Sequence, residues 1–100
     1  MKIEKLRDGK NLTVQLEGRL ASDTADDLTE ALEGEDLGSL EALTFDMQNV
    51  DFISSKGIRV LVASQKQLPQ GVQLTVAHAN APVLEVLKLS GLTKFFNIAE

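Results

Sequence analysis

Two consecutive serines, Ser54 and Ser55, stand between an apolar run and a segment of helical periodicity, within Asp51-Phe52-Ile53-Ser54-Ser55-Lys56-Gly57-Ile58-Arg59-Val60-Leu61. At the start of a helix the first N–H groups lack intrahelical partners, and the macrodipole is positive there, so oxygen acceptors and anions are favoured. Ser54 is placed to cap such a helix. One cap does not need two serines, which leaves Ser55 as a candidate phosphate acceptor. A phosphate on Ser55 adds about −1.5 to −2 charges, next to Lys56 and one turn from Arg59. The fold tolerates that group, whereas a partner pressed against the same surface does not. The chemistry these residues suit is therefore a reversible switch of binding.

Other reactive constellations are scarce. Serine nucleophiles need a nearby base, and the sole histidine, His78, lies at a strand end with no pattern tying it to a serine. Asp46 and Asp51 could be paired as carboxylates, but any acidic domain offers such pairs. The chain has no cysteine, which removes disulfides, thiolate nucleophiles and thiolate metal sites, and one histidine cannot build a multi-histidine site. Neither a Walker nor a dinucleotide glycine spacing occurs. The residues point to a binding or switching module without metal or cofactor, and not to an enzyme.

The composition agrees. One hundred residues with 43% apolar and 25% charged side chains suit a single globular domain over 1–100. Fifteen acids against ten bases give a net charge of −5, which repels nucleic-acid backbones and anionic lipid. Four Phe with neither Trp nor Tyr leave no platform for stacking bases. Met1 to Lys10 lacks the apolar core of a signal peptide, and no run reaches the roughly 18–20 apolar residues of a membrane span. A cytoplasmic protein without membrane insertion is expected.

The elements that must position the serines follow from periodicity. Ile3 to Arg7 and Leu12, Val14, Leu16 read as two strands joined through Asp8-Gly9, with Gly18 ending the second. Ala21, Ala25, Leu28 and Leu32 form a helical stripe, capped by Ser22 or Asp23 and ended by Gly34. Seven acids and no base fall between Asp23 and Asp36, a solvated helix face or a docking surface for a basic partner. Gly34 to Ser39 reads as the most mobile loop. Leu43, Phe45 and Met47 form a strand running towards Asn49. Ile58, Leu61, Val62, Gln65 and Leu68 form a second helical stripe closed by Pro69 and Gly71. Val72, Leu74 and Val76 make another strand. Asn80-Ala81-Pro82 opens a third helix that stops at Ser90-Gly91, and Phe95 to Ile98 can add a short strand or turn. The order β-β-α-β-α-β-α defines an α/β fold, a mixed sheet of four to five strands with helices packed mainly on one face.

At this point the sequence resembles the STAS domains (the SpoIIaa-like fold), and among them the bacterial anti-sigma factor antagonists. In that family an apolar strand leads to Asp-Ser-Ser-Gly or Ile-Ser-Ser-Ala-Gly-Leu-Arg and then a helix. Here Phe52-Ile53-Ser54-Ser55-Lys56-Gly57-Ile58-Arg59 takes that place. Gly18-Arg19-Leu20 followed by Thr24-Ala25 matches the turn into the first helix, and Leu89-Ser90-Gly91-Leu92 with Phe96 matches a late motif. Ala21 stands where many members have Asp, and Lys56 where they have a small residue.

The resemblance implies a partner switch in transcription regulation. The unphosphorylated protein binds an anti-sigma factor that is also a serine kinase, phosphorylation of Ser55 ends the contact, and a serine phosphatase resets it. The partner-binding loop it implies comprises Ser54, Ser55, Lys56, Gly57 and Arg59, with Asp51 and Thr24 beside them. Two alternatives stand next to this. One is a constitutive scaffold or adaptor subunit of a signalling or lipid-transport complex, not phosphorylated. The other is a small-molecule-binding STAS domain, disfavoured because Gly57 stands alone without a Gly-rich or aromatic loop. A monomer is the expected state.

Overall fold

The computed structural model describes residues Met1 to Ala99. The chain runs β1 (Lys2–Asp8), β2 (Asn11–Leu20), α1 (Ala25–Glu33), a 3-10 turn (Leu37–Ser39), β3 (Ala42–Ile53), α2 (Ser55–Gln67), β4 (Thr75–Ala77), α3 (Ala81–Leu89) and β5 (Asn97–Ala99). The five strands form one sheet in sequence order, β1 antiparallel to β2 and every later pair parallel. Each parallel connection carries a helix to the next strand in line, and crossovers of one hand lay those helices on the same face. The other face stays wet: Glu4, Gln15, Glu17 and Gln48 are exposed along it. The α/β mixed sheet expected from periodicity is the observed one.

The hairpin turns at Gly9, whose φ of 62° suits a residue without Cβ. β2 does not end at Gly18. It continues to Leu20, and Gly18 (φ 109°) sits in the strand beside a register shift. The strand expected near Leu43 to Asn49 likewise extends to Ile53. Its partners shift from Gln15–Asp46 to Glu17–Asn49 and then from Gly18–Val50 to Arg19–Phe52, so β3 carries two more residues than the matching stretch of β2. Buried positions therefore fall at 43, 45 and 47, then at 50 and 53. That lengthened spacing hid the strand's second half from a period-2 reading.

The first helix starts later than its stripe suggests. Ala25, Leu28 and Leu32 are buried, but Ala21 belongs to a turn that closes through Ala25 N donating to Ala21 O at 2.8 Å. Neither Ser22 nor Asp23 caps it; Thr24 is the N-cap residue. Gly34 does end it. The Gly34 to Ser39 stretch, read as a loose loop, holds the 3-10 turn, with Leu37 and Leu40 buried in the core.

In α2 the buried positions are Gly57, Leu61 and Ser64, with Leu68 just beyond; Ile58, Val62 and Gln65 are half-buried. Gln65 serves the backbone of the next segment. Its side-chain amide accepts from Leu74 N at 2.6 Å and donates to Val72 O at 2.8 Å. Held that way, Val72 and Leu74 precede the strand instead of joining it, and β4 shrinks to Thr75–Ala77. α3 opens as expected, Asn80 Oδ1 accepting from Val83 N at 3.0 Å with Pro82 in the first turn.

Candidate partner-binding site at the start of α2

The serine loop rests on the paired ends of the two longest strands. Leu20 and Ile53 close the β2–β3 ladder, and Ser54 N donates to Leu20 O at 2.8 Å. Ser54, extended at φ −95° and ψ 172°, accepts the Gly57 N–H on its hydroxyl at 3.2 Å, which makes it the N-cap of α2. Gly57 is needed where it stands. A Cβ there would lie 2.8 Å from both Leu20 Cγ and Leu20 O and 3.1 Å from Ile53 Cγ1, so any larger residue forces the helix off the strands. Cap and glycine together clamp the first turn of α2 onto the sheet.

Ser55 is the first residue of α2 and is exposed, and among the described residues its hydroxyl makes no hydrogen bond. Lys56 turns towards α1, where its Nζ lies 3.0 Å from Asp26 Oδ1. Arg59, one turn on, is exposed along the cleft between α1 and α2. Ser54, Ser55, Lys56 and Arg59 thus lie on one surface, with Gly57 buried beneath it.

Asp51 and Thr24 contribute otherwise. Asp51 is the residue of β3 left without a partner at the second register shift, exposed and three residues short of the cap. Thr24 is half-buried, and its hydroxyl is committed within the β2–α1 turn: it donates to Arg19 O and accepts from Ala21 N at 2.8 Å. It shapes the loop that leads into α1 and offers no free hydroxyl to a partner.

Two residues outside the sequence-derived set stand next to it, one before it in the chain and one across from it on α1. The Arg19 guanidinium lies 5.2 Å from the centre of the Phe52 ring, and Phe52 is 42% exposed, a large apolar side chain on the strand that delivers the serines. In the sequence Phe52 looked like one more strand residue, although the alternation begun by Leu43, Phe45 and Met47 already puts position 52 on the outward face. Asp26, hidden in the acidic run, is the other addition through its pair with Lys56.

No group of three or more metal-ligating side chains comes together among the described residues, and no helix among them is long and apolar enough to cross a membrane. His78 pairs with Asp46 (Nδ1 to Oδ1 3.1 Å) at the end of β4, with no serine in that pair.

The family model for the STAS domain matches residues 2–100, and the chain belongs to the STAS domain family. No curated protein matches it by sequence. Among solved structures, an anti-sigma factor antagonist from Mycobacterium paratuberculosis superposes with a TM-score of 0.88 at 23% identity, covering 98% of this chain and 84% of that one. The anti-sigma factor antagonist SpoIIAA in its unphosphorylated form gives 0.83 at 14% identity over 99% and 89%, and the Bacillus SpoIIAA in its phosphorylated form gives 0.74 at 14% over 99% and 92%. The fold also occurs inside the murine anion transporter Slc26a9: TM-score 0.71, 20% identity, 92% of this chain and 16% of the transporter. At these identities the likeness is one of fold.

Proposed function

We propose that the chain is an anti-sigma factor antagonist, a non-enzymatic partner switch that binds an anti-sigma factor with serine-kinase activity and is released by phosphorylation of Ser55. The observation that carries this reading is the division of labour between the two serines. Ser54 closes the helix while Ser55, one residue on, is exposed with an uncommitted hydroxyl. A phosphate there meets the free N–H groups and positive end of α2, which stabilise it. It also places negative charge on the exposed start of α2, where a partner's contact would otherwise form. That a structural neighbour, SpoIIAA, is described in both an unphosphorylated and a phosphorylated form is in keeping with such a cycle. A serine phosphatase completes the cycle, which on this reading runs in the cytoplasm with the chain as a monomer of one domain.

One observation favours the alternative of a constitutive scaffold. Lys56 is already paired with Asp26 and is not held free for a phosphate, and STAS domains occur within transporters. Intact-mass spectrometry after incubation with ATP and the host's serine kinases separates the two. The switch predicts one added phosphate, retained in Ser54→Ala and lost in Ser55→Ala. No phosphate from any kinase, together with ATP-independent copurification with a transport or signalling complex, establishes the scaffold instead.

A further inference from the structure

A cleft of about 310 Å3 runs between α1 and α2. Asp26 faces Lys56 at one end and Leu32 and Glu33 lie with Ala63 and Gln67 at the other, so the helices run in the same direction with both N-termini at the Ser55 end. The floor is apolar. Leu32, Val60 and Ala63 line it, and the two hydroxyls there are closed within their own helices, Ser64 donating to Val60 O at 2.8 Å and Thr29 to Ala25 O at 3.2 Å.

The walls carry opposite charge. Of the residues that line the cleft, α1 contributes Asp26 and Glu33 with no base, and α2 contributes Lys56 and Arg59 with no acid. If this opposition served only to tie the two helices together, the charges would be neutralised across the cleft. Lys56–Asp26 is the one such pair among the described residues, and the other two lining charges, Arg59 and Glu33, have no ion-pair partner there. The charges are left for something lying between them.

We propose that this cleft is a docking groove for a single amphipathic helix of a partner protein. That helix carries an apolar stripe with bases along the flank facing α1 and acids along the flank facing α2. α1 and α2 are about 13 and 20 Å long, a length that matches two to three turns of a third helix laid in the groove. Apolar anchors at i, i+3 and i+4 then meet Leu32, Val60 and Ala63, with charge setting the flanks. The inference holds whether or not Ser55 is phosphorylated.

The test is fluorescence-anisotropy titration of the unphosphorylated protein, without ATP, with two synthetic 15-residue helical peptides sharing a Leu/Ala stripe. One has Lys on one flank and Glu on the other; the second has Glu on both. The groove predicts that the mixed-flank peptide binds several-fold tighter. It predicts that Ala63→Glu, which fills the floor, weakens that binding about tenfold while leaving the thermal transition in place. Arg59→Glu should weaken it too, and a peptide with Lys on both flanks should recover the loss. Equal binding of both peptides, indifference to Ala63→Glu, or failure of the charge exchange overturns the proposal. So does a concentration-dependent dimer by sedimentation that Ala63→Glu dissolves, since the occupant is then a second copy.

Discussion

The interior of the sheet and its β5 edge are built differently. β2 and β3 pair over nine positions and carry long runs of buried side chains, from Leu12 to Leu20 and from Leu43 to Ile53, whereas β4 and β5 pair over three. The β4–β5 end depends on a few anchors. Phe96, just ahead of β5, is buried, Leu89 and Phe95 near it in the chain remain exposed, and Asn80 ties α3 to β3 by donating to Val50 O at 2.9 Å. The serine loop grows from the stiff half. For the switch proposed above, that is the part of the molecule with the fewest ways to yield.

Removing the main anchor of the weak end should have the largest effect. Phe96→Ala is expected to cost about 3–5 kcal/mol in urea unfolding, and hydrogen exchange should show β5 amides losing protection before those of β2. If β2 and β5 amides lose protection together, the halves are one cooperative unit and the contrast fails. Next comes the stiff end itself: Gly57→Ala should cost about 1–3 kcal/mol, because the new methyl meets Leu20 backbone and not only a flexible side chain. The serines sharpen the comparison further. Ser54→Ala should lose about 1 kcal/mol and Ser55→Ala no more than about 0.5 kcal/mol, measured side by side by chemical denaturation. Equal losses would mean that the two hydroxyls share the capping. Smallest of all, Lys56→Ala should shift stability by about 0.2–1 kcal/mol and the shift should shrink in high salt, since its pair with Asp26 is solvent-exposed.

Most of the architecture was legible because its buried faces follow simple periods: Leu12, Val14, Leu16 for β2 and Ala25, Leu28, Leu32 for α1. The misreadings share a cause, a side chain or an inserted residue overriding the period. Gln65 in an apolar stripe looked like core and instead binds Val72 O and Leu74 N, so that the strand begins only at Thr75. Thr24, not Ser22 or Asp23, stands at the N-cap position, without a side-chain cap, because its hydroxyl is spent on Arg19 O and Ala21 N in the turn before α1. Of the candidate site, Ser54 as cap and Ser55 as the exposed neighbour were readable from type and spacing alone. Asp26 was not, because its pairing with Lys56 depends on the approach of α1 to α2, and Phe52 was missed because the strand was followed only towards Asn49.

The two additional residues of β3 act as a vernier. Had β3 kept the spacing with which Gln15 meets Asp46, Leu20 would lie opposite Asp51, and Ile53 would overshoot the end of β2 by two residues, about 6.6 Å. Ser54 could then no longer reach the Leu20 carbonyl. The reach of the loop is thus set by counting, and deleting one residue between Met47 and Phe52 would misplace Ser55 without altering a single atom of it.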